Sequence, residues 1–225
     1  MCETVSVIIP SYNCSAFLGE AIESVIRQSD VQASEIVVVD DGSQDETVNV
    51  VADFSNVQYF VQEHAGASSA RNKGVELTHG DLIAFLDADD VWSHNKLLLQ
   101  LCAIRKDPSL GMVFGHVEEF VSPPAVVDER NLRRYAPGYV PGTMLVRRRV
   151  FEAVGAFDTS WRLGEFVDWY IRAKELNLKA ALLPDVLLKR RIHGDNVGIR
   201  ERQSVVDYAR ILRAALDRRK TLVAD

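Results

Sequence analysis

Phe85-Leu86-Asp87-Ala88-Asp89-Asp90 places three carboxylates within four positions, directly behind the apolar run Leu82-Ile83-Ala84. Carboxylates this close repel one another. A hard divalent cation resolves that conflict, and oxygen ligands are what Mg2+ or Mn2+ take. Asp87 and Asp89 are two apart, so in extended geometry they share a face. The same stretch reads equally as a solvated strand-end turn in which Asp89 or Asp90 caps the next helix. Metal and cap are evenly matched until the rest of the chain is considered.

The elements that would carry these residues follow from hydrophobic periodicity. Val5-Ser6-Val7-Ile8-Ile9, Glu35-Ile36-Val37-Val38-Val39 and Leu82–Leu86 are β-branched or almost continuously apolar, the pattern of strands buried on both faces, and Val57–Val61 reads as a further strand. Pro10-Ser11-Tyr12-Asn13 is expected to stop the first strand, and Asp40-Asp41-Gly42-Ser43 the second. Phe17, Ala21, Ile22, Val25 and Ile26 recur at helical spacing and predict a helix from about Ser15 to Gln28, with Ser15 as its cap. Asp45-Glu46 opens a second helix, and Gly66-Ala67-Ser68-Ser69 leads into a third carrying Arg71. This alternation is the sequence form of a doubly wound parallel sheet, which binds ligands beyond the carboxyl ends of its strands. Pro10–Asn13, Asp40–Ser43 and Asp87–Asp90 all sit at such ends. Their convergence favours a site over a cap.

Beyond a helix from about Asn95 to Lys106, regularity weakens. Met112–Val121 and Met144–Val146 read as strands, with a loop-like stretch containing Pro123, Pro124, Arg130 and Pro137 between them. Val150–Val154 is a helical turn closed by Gly155. Gly164–Leu176 is helical with Phe166, Tyr170, Ala173 and Leu176 inward. Lys179–Leu183 and Val186–Ile192 are strands bracketing Pro184-Asp185. The tail, about Glu201 to Leu222, is amphipathic through Val205, Tyr208, Leu212 and Leu216. One domain over residues 1–225 is expected, with a first half to about residue 95, a second over about 96–200, and a C-terminal helix over about 201–225.

The net charge of −6 conceals an asymmetry. Residues 1–95 hold three basic residues (Arg27, Arg71, Lys73) against 16 acidic ones, whereas residues 96–225 hold 23 basic and 16 acidic. The acidic half suits a metal, and the basic half suits an anion such as a diphosphate or a phospholipid surface. Nucleic acid is not an expected partner. No run of 18 apolar residues predicts a membrane span, and Met1–Thr4 lacks the start of a secretory signal. Cys2, Cys14 and Cys102 are odd in number and lack metal-ligand spacing, so they read as reduced thiols in a cytoplasmic protein. The glycine-rich Gly-x-Gly-x-x-Gly, the phosphate-loop Gly-Lys-Ser/Thr, the Gly-x-Ser-x-Gly elbow and His-Glu-x-x-His do not occur, which argues against those enzyme classes.

What does occur, in order, is Ser6–Asn13, Val38–Asp45, Gly66 with Ala70-Arg71-Asn72-Lys73-Gly74, Phe85–Asp90, and Arg148–Phe151 with Val154-Gly155-Ala156-Phe157-Asp158. The series resembles the family 2 glycosyltransferases, from about residue 5 to residue 198. The resemblance implies the GT-A fold: a Rossmann-like α/β domain whose central, mostly parallel sheet is flanked by helices, with a small mixed acceptor-side portion. It also implies transfer of a sugar from a nucleotide-sugar donor, UDP-linked in the favoured case, to an acceptor hydroxyl. The acceptor would be a saccharide, a lipid-linked molecule or another hydroxyl compound, and the anomeric centre would invert. Pro10, Tyr12 and Asp41 match positions that hold the nucleobase. Arg71 matches a residue that reaches base or diphosphate, Asp87 the ribose contact, and Asp89 the ligand of Mn2+ or Mg2+. The plain alternative for Arg71 is a salt bridge to Asp41 or Asp45. Asp40 and Asp45 read as structural, shaping the turn and capping a helix.

The catalytic base is where the chain departs from that pattern. The family places Glu-Asp six or seven residues before a helical Arg; counting back from Arg172 gives Glu165 and then Phe166. Glu165 or Asp168 is left to serve, and their i, i+3 spacing puts them on one helix face. The alternative is a catalytically impaired nucleotide-sugar binding protein of the same fold. His193 matches a late histidine near the diphosphate or metal, with a solvated loop residue as the alternative. Tyr139, Trp161 and Trp169 are candidates for lining an acceptor site, against core packing for the two tryptophans. The basic tail helix is either a solvated face or a peripheral contact with the inner face of an anionic membrane. Asp207 and Asp217 dilute its charge and favour the former.

Overall fold

The computed structural model describes residues 3–122, 132–194 and 206–224. The Pro123, Pro124 and Arg130 part of the expected loop, and the expected tail-helix start at Glu201, lie outside them. Strands β1 (Val5–Ser11), β2 (Glu35–Asp40), β3 (Gln58–Val61) and β4 (Leu82–Phe85) are parallel and ordered 3-2-1-4. The sheet continues through β8 (Leu145–Arg147), β6 (Met112–Val121), β9 (Ala180–Ile192) and β5 (Val91–Trp92), with β7 (Ala136–Gly138) paired to β6. β8 is antiparallel to both β4 and β6, and β9 runs parallel to β6, so the second half of the sheet is mixed.

Pleating explains why the first strands need apolar residues at every position. Val5, Val7 and Ile9 of β1 join one core with Ile36, Val38, Leu82 and Ala84, whereas Ile8 joins the opposite core with Ile83 and Phe85. Helices α1 (Ser15–Ile26), α2 (Thr47–Ala52) and α4 (Lys96–Lys106) cover the first face. Helices α3 (Ala67–Leu77), α5 (Arg148–Val154) and α6 (Glu165–Glu175) cover the second. Each fully buried Val, Ile or Leu contributes about 1.5–3 kcal/mol, so both faces are strongly specified. α7 (Val206–Ala224) docks against α6.

Pro10 does not end β1, which runs on through Ser11 with Pro10 paired to Val39. Ile8 accepts from Leu86 N on the β4 side and Ser11 accepts from Asp41 N on the β2 side. Alternation therefore turns the missing Pro10 N–H towards β4, whose pairing has already stopped at Phe85. Close approach of α3 to β1 depends on Gly74, where a Cβ would lie 2.3 Å from Ile8 Cγ2. That approach sets the height of Arg71, one turn earlier.

Other expectations are corrected. Ser15 is not a side-chain cap; the first free N–H of α1, that of Ser15, is taken by Asp45 Oδ2 at 2.9 Å. Neither Asp89 nor Asp90 caps a helix, because α4 begins six residues later with Asn95 before it. The two strands expected around Pro184-Asp185 are one, β9, whose register against β6 shifts where those residues bulge out. Leu176 is 51% exposed and not inward. Among the described side chains of α7 the buried ones are Asp207, Ile211 and Ala215, while Tyr208, Leu212 and Leu216 face outward. Among the described residues no helix is long and apolar enough to cross a membrane.

Candidate active site

Three loops leave the carboxyl ends of β1, β2 and β4, and the first two are tied to each other. Asn13, at φ +48°, accepts from Gln44 N through its side chain and donates its own N–H to Ser43 Oγ. Asp40 Oδ1 accepts from Ser43 N at 2.8 Å and its other oxygen from Tyr59 OH. Asp45 Oδ1 accepts from Thr47 N at 3.1 Å, so it serves α2 as well as α1. Both residues shape backbone.

Asp41 is buried and engaged. Its Oδ1 accepts from Gln62 Nε2 (2.7 Å) and Ala65 N (2.9 Å), and its Oδ2 from Gly66 N (2.8 Å). His64 Nδ1 lies 2.8 Å from the same Oδ2. Three hydrogen bonds therefore hold the carboxylate, and His64 Nδ1 also lies 3.2 Å from the Asp41 carbonyl oxygen. The His64 ring also stacks on Tyr12, with centroids 4.1 Å apart and planes 26° from parallel. A flat, nitrogen-bearing ring thus lies on Tyr12 and points at Asp41, and its side chain is 58% exposed.

Arg71 is buried on α3 and forks between two carboxylates. Its Nη2 donates to Asp87 Oδ1 at 2.7 Å and its Nη1 to Glu165 Oε1 at 2.9 Å. Its partners are not Asp41 or Asp45. Burial works against the guanidinium charge, but Asp87 and Glu165 outweigh it and hold the pKa above its ordinary value. Glu165 stands at the first residue of α6, behind Gly164 at φ +85°, a conformation that favours glycine.

The third group is Asp89 with His193. Oδ2 and Nε2 are 2.9 Å apart, and the imidazole packs on Phe17 at 4.9 Å between centroids. Behind them stands Arg191, which sequence reasoning missed. Its N–H donates to Asp90 Oδ1 and its Nε to the Asp89 carbonyl, each at 2.8 Å. Its guanidinium lies between the Phe17 and Phe120 rings and pairs with Glu20. Asp90 is a buried supporting acid whose pKa is pushed well up by burial, then by Asp89 and Asp87. Cys14 lies in the same environment as a free thiol, pushed up to about 12 chiefly by burial. The basic residue two before His193 was the available signal for Arg191.

Asp168 sits elsewhere. It is 3% exposed and pairs with Arg172 (2.9 Å) and with Arg218 of α7 (3.4 Å). Phe166 is 5% exposed and stacks on Trp169 and Tyr170 in the core. Trp169 is fully buried, with Nε1 bonded to the Gly155 carbonyl, so it packs the core and lines no acceptor site. Tyr139 is 43% exposed beside Tyr170.

The Asp89 carboxylate is an oxygen donor that Mn2+ or Mg2+ takes, and the His193 imidazole 2.9 Å from it is a nitrogen donor that a transition ion such as Mn2+ accepts more readily than Mg2+. Among the described residues no group of three or more His, Cys, Asp or Glu side chains could hold a metal. The pair fits an ion that takes most of its ligands from a bound anion and water, not a protein cage.

A family model described as glycosyl transferase family 2 matches residues 6–155. The chain is 34% identical over 146 residues to the Escherichia coli UDP-Glc:alpha-D-GlcNAc-diphosphoundecaprenol beta-1,3-glucosyltransferase WfgD, covering 60% of this chain and 57% of that protein. It is 38% identical over 102 residues to a putative teichuronic acid biosynthesis glycosyltransferase, TuaG, of Bacillus subtilis, covering 43% of this chain and 40% of that one. The crystal structure of S. aureus TarS 1-349 in complex with UDP superposes with a TM-score of 0.67 at 21% identity, covering 84% of this chain and 60% of that one. The chain spans less than two thirds of these relatives.

Proposed function

The chain belongs to glycosyl transferase family 2, and from that premise we propose that it transfers a sugar from a UDP-sugar to an acceptor hydroxyl. Glu165 acts as the base and the anomeric centre inverts. The observation that carries this reading is the ionic group Asp87–Arg71–Glu165, which ties the acidic strand-end loop to the first residue of α6. The nucleotide-binding half, to about residue 95, supplies Tyr12, Asp41, Arg71, Asp87 and Asp89. The acceptor-side half supplies Glu165 and His193.

In this reading the base lies on Tyr12 beside Pro10, where the His64 ring now stacks, and its N3–H meets Asp41. Ribose contacts Asp87, and Arg71 faces the diphosphate. The acceptor hydroxyl attacks the anomeric carbon, its proton passes to Glu165, and the bond from that carbon to the β-phosphate oxygen breaks with its electron pair leaving on UDP. Asp89 and His193 would hold Mn2+ or Mg2+, which supplies Lewis-acid stabilisation of the departing diphosphate. Asp168, between Arg172 and Arg218, holds α7 to α6.

The names of relatives extend the reading. UDP-glucose and a diphosphoundecaprenol-linked sugar in one, teichuronic acid in another, support a UDP-linked donor and a lipid-linked or saccharide acceptor in surface polysaccharide synthesis. The setting this implies is the cytoplasmic face of a membrane. The test is release of UDP from UDP-glucose and UDP-N-acetylglucosamine with Mn2+ and with EDTA, beside thermal shifts with UDP, GDP and dTDP. Metal-dependent turnover with UDP-selective stabilisation supports the proposal; stabilisation by GDP or dTDP but not UDP overturns the donor assignment.

Phe166 favours a second reading, a protein that binds nucleotide-sugar without transferring it, because the side chain at the usual base position is packed in the core. UDP–Mn2+ binding with no turnover on any donor would select it.

A further inference from the structure

We propose that the outer face of α7 docks on an anionic lipid bilayer. The helix has two apolar faces. Ile211 and Ala215 are buried against the body, and Arg218 reinforces that seam through Asp168 and Glu175. Roughly 100° away around the helix, by its 3.6-residue turn, Tyr208, Leu212 and Leu216 form an i, i+4 stripe that is 41%, 56% and 57% exposed. Among the described residues nothing covers it. An apolar stripe on the outside of a helix already docked by its other face marks an interaction surface.

Charge decides the occupant. The stripe shares its trough with Arg213 and Lys220, and Arg219 is exposed on the same turn. Asp207, which in sequence dilutes this patch, is buried on the inner seam, where it accepts from Arg162 N. Asp217 is the acid of the trough and pairs with Lys220 at 3.2 Å, which leaves Arg213 and Arg219 to set its positive sign. A second copy of the chain would bring two such basic clusters together across a twofold axis, whereas anionic headgroups complement them. Leucines inserted at the acyl boundary, a tyrosine at headgroup level and flanking Lys and Arg are the parts of an interfacial helix. At 19 residues α7 is about 28 Å long and would lie on the bilayer without spanning it. The inference stands apart from the transfer reaction.

The test is co-sedimentation of the full chain with vesicles of phosphatidylcholine alone and of phosphatidylcholine mixed with phosphatidylglycerol. Wild type is expected to sediment with the mixed vesicles and to be released by salt. The Leu212→Ser/Leu216→Ser pair and the Arg213→Glu/Lys220→Glu pair should each weaken binding at least about tenfold with unchanged thermal unfolding, since all four residues are exposed. Wild type remaining in the supernatant, or both variants binding like wild type, overturns the proposal. So does a dimer, seen by light scattering, that the leucine variant splits.

Discussion

Arg71 and Glu165 are 94 positions apart in sequence and 2.9 Å apart in space. The same guanidinium holds Asp87 at 2.7 Å, so a single side chain aligns a residue of the acidic loop with the proposed base. A lysine would keep the charge but lose the planar fork. Arg71→Lys should therefore lower kcat/KM on a UDP-sugar by about 100-fold, the cost of a misplaced reacting group, and weaken UDP binding as well. Steady-state kinetics and a UDP titration check both effects. Unchanged kinetics would mean that the fork has no part in alignment.

His64 fills the place proposed for the nucleobase, stacked on Tyr12 and 2.8 Å from Asp41. If its ring must leave before a base can enter, removing it relieves a conformational penalty. His64→Ala should then tighten UDP binding about two- to tenfold, read by calorimetry with Mn2+. Weaker binding would show instead that His64 closes over the base and belongs to the pocket.

Asp168 is expected to matter for stability. Asp168→Ala leaves Arg172 without its carboxylate and Arg218 with Glu175 alone. The loss should be about 2–3 kcal/mol, at the low end for a broken buried pair because Arg218 is about one-third exposed. Urea unfolding measures it. UDP release at low temperature should persist; its complete loss with an intact fold would return Asp168 to the list of bases.

Lys96 predicts a pH dependence. It is fully buried, 2.8 Å from Gln100 Oε1 and 4.0 Å above the Trp92 ring, and burial depresses its pKa well below the ordinary value. Between the depressed folded pKa and the ordinary unfolded one, the unfolded chain binds more protons, so stability rises with pH. The slope is at most about 1.4 kcal/mol per unit for one proton. Lys96→Met should remove that component. The difference in unfolding free energy between wild type and variant, followed from neutral to alkaline pH, checks the sign.

Much of this was legible in the chain. β1, β2 and β4 announce themselves because strands buried on both faces must be apolar throughout, and their loops carry Tyr12, Asp41 and Asp87. β5 and β7 did not, since two or three residues such as Ala136-Pro137-Gly138 have no period to detect. The tail helix misled because both of its faces are apolar. Periodicity finds a stripe without saying whether Ile211 and Ala215 or Leu212 and Leu216 turn inward. The site's residue types were readable from motif order, but their pairings were not. The hold of the Ala65 and Gly66 N–H groups on Asp41, and the Arg191 clamp on the Asp89-Asp90 loop, depend on backbone paths that only the fold supplies.

The most direct test of the central claim compares wild type with Glu165→Gln in sugar transfer from a UDP-sugar, alongside UDP–Mn2+ binding. Glutamine keeps the shape and loses the proton acceptor. Transfer should fall by about 10²–10⁴ while UDP–Mn2+ binding persists, with Asp168→Asn retaining turnover. Undiminished transfer by Glu165→Gln, or a wild type that binds UDP–Mn2+ and transfers nothing, would contradict the account.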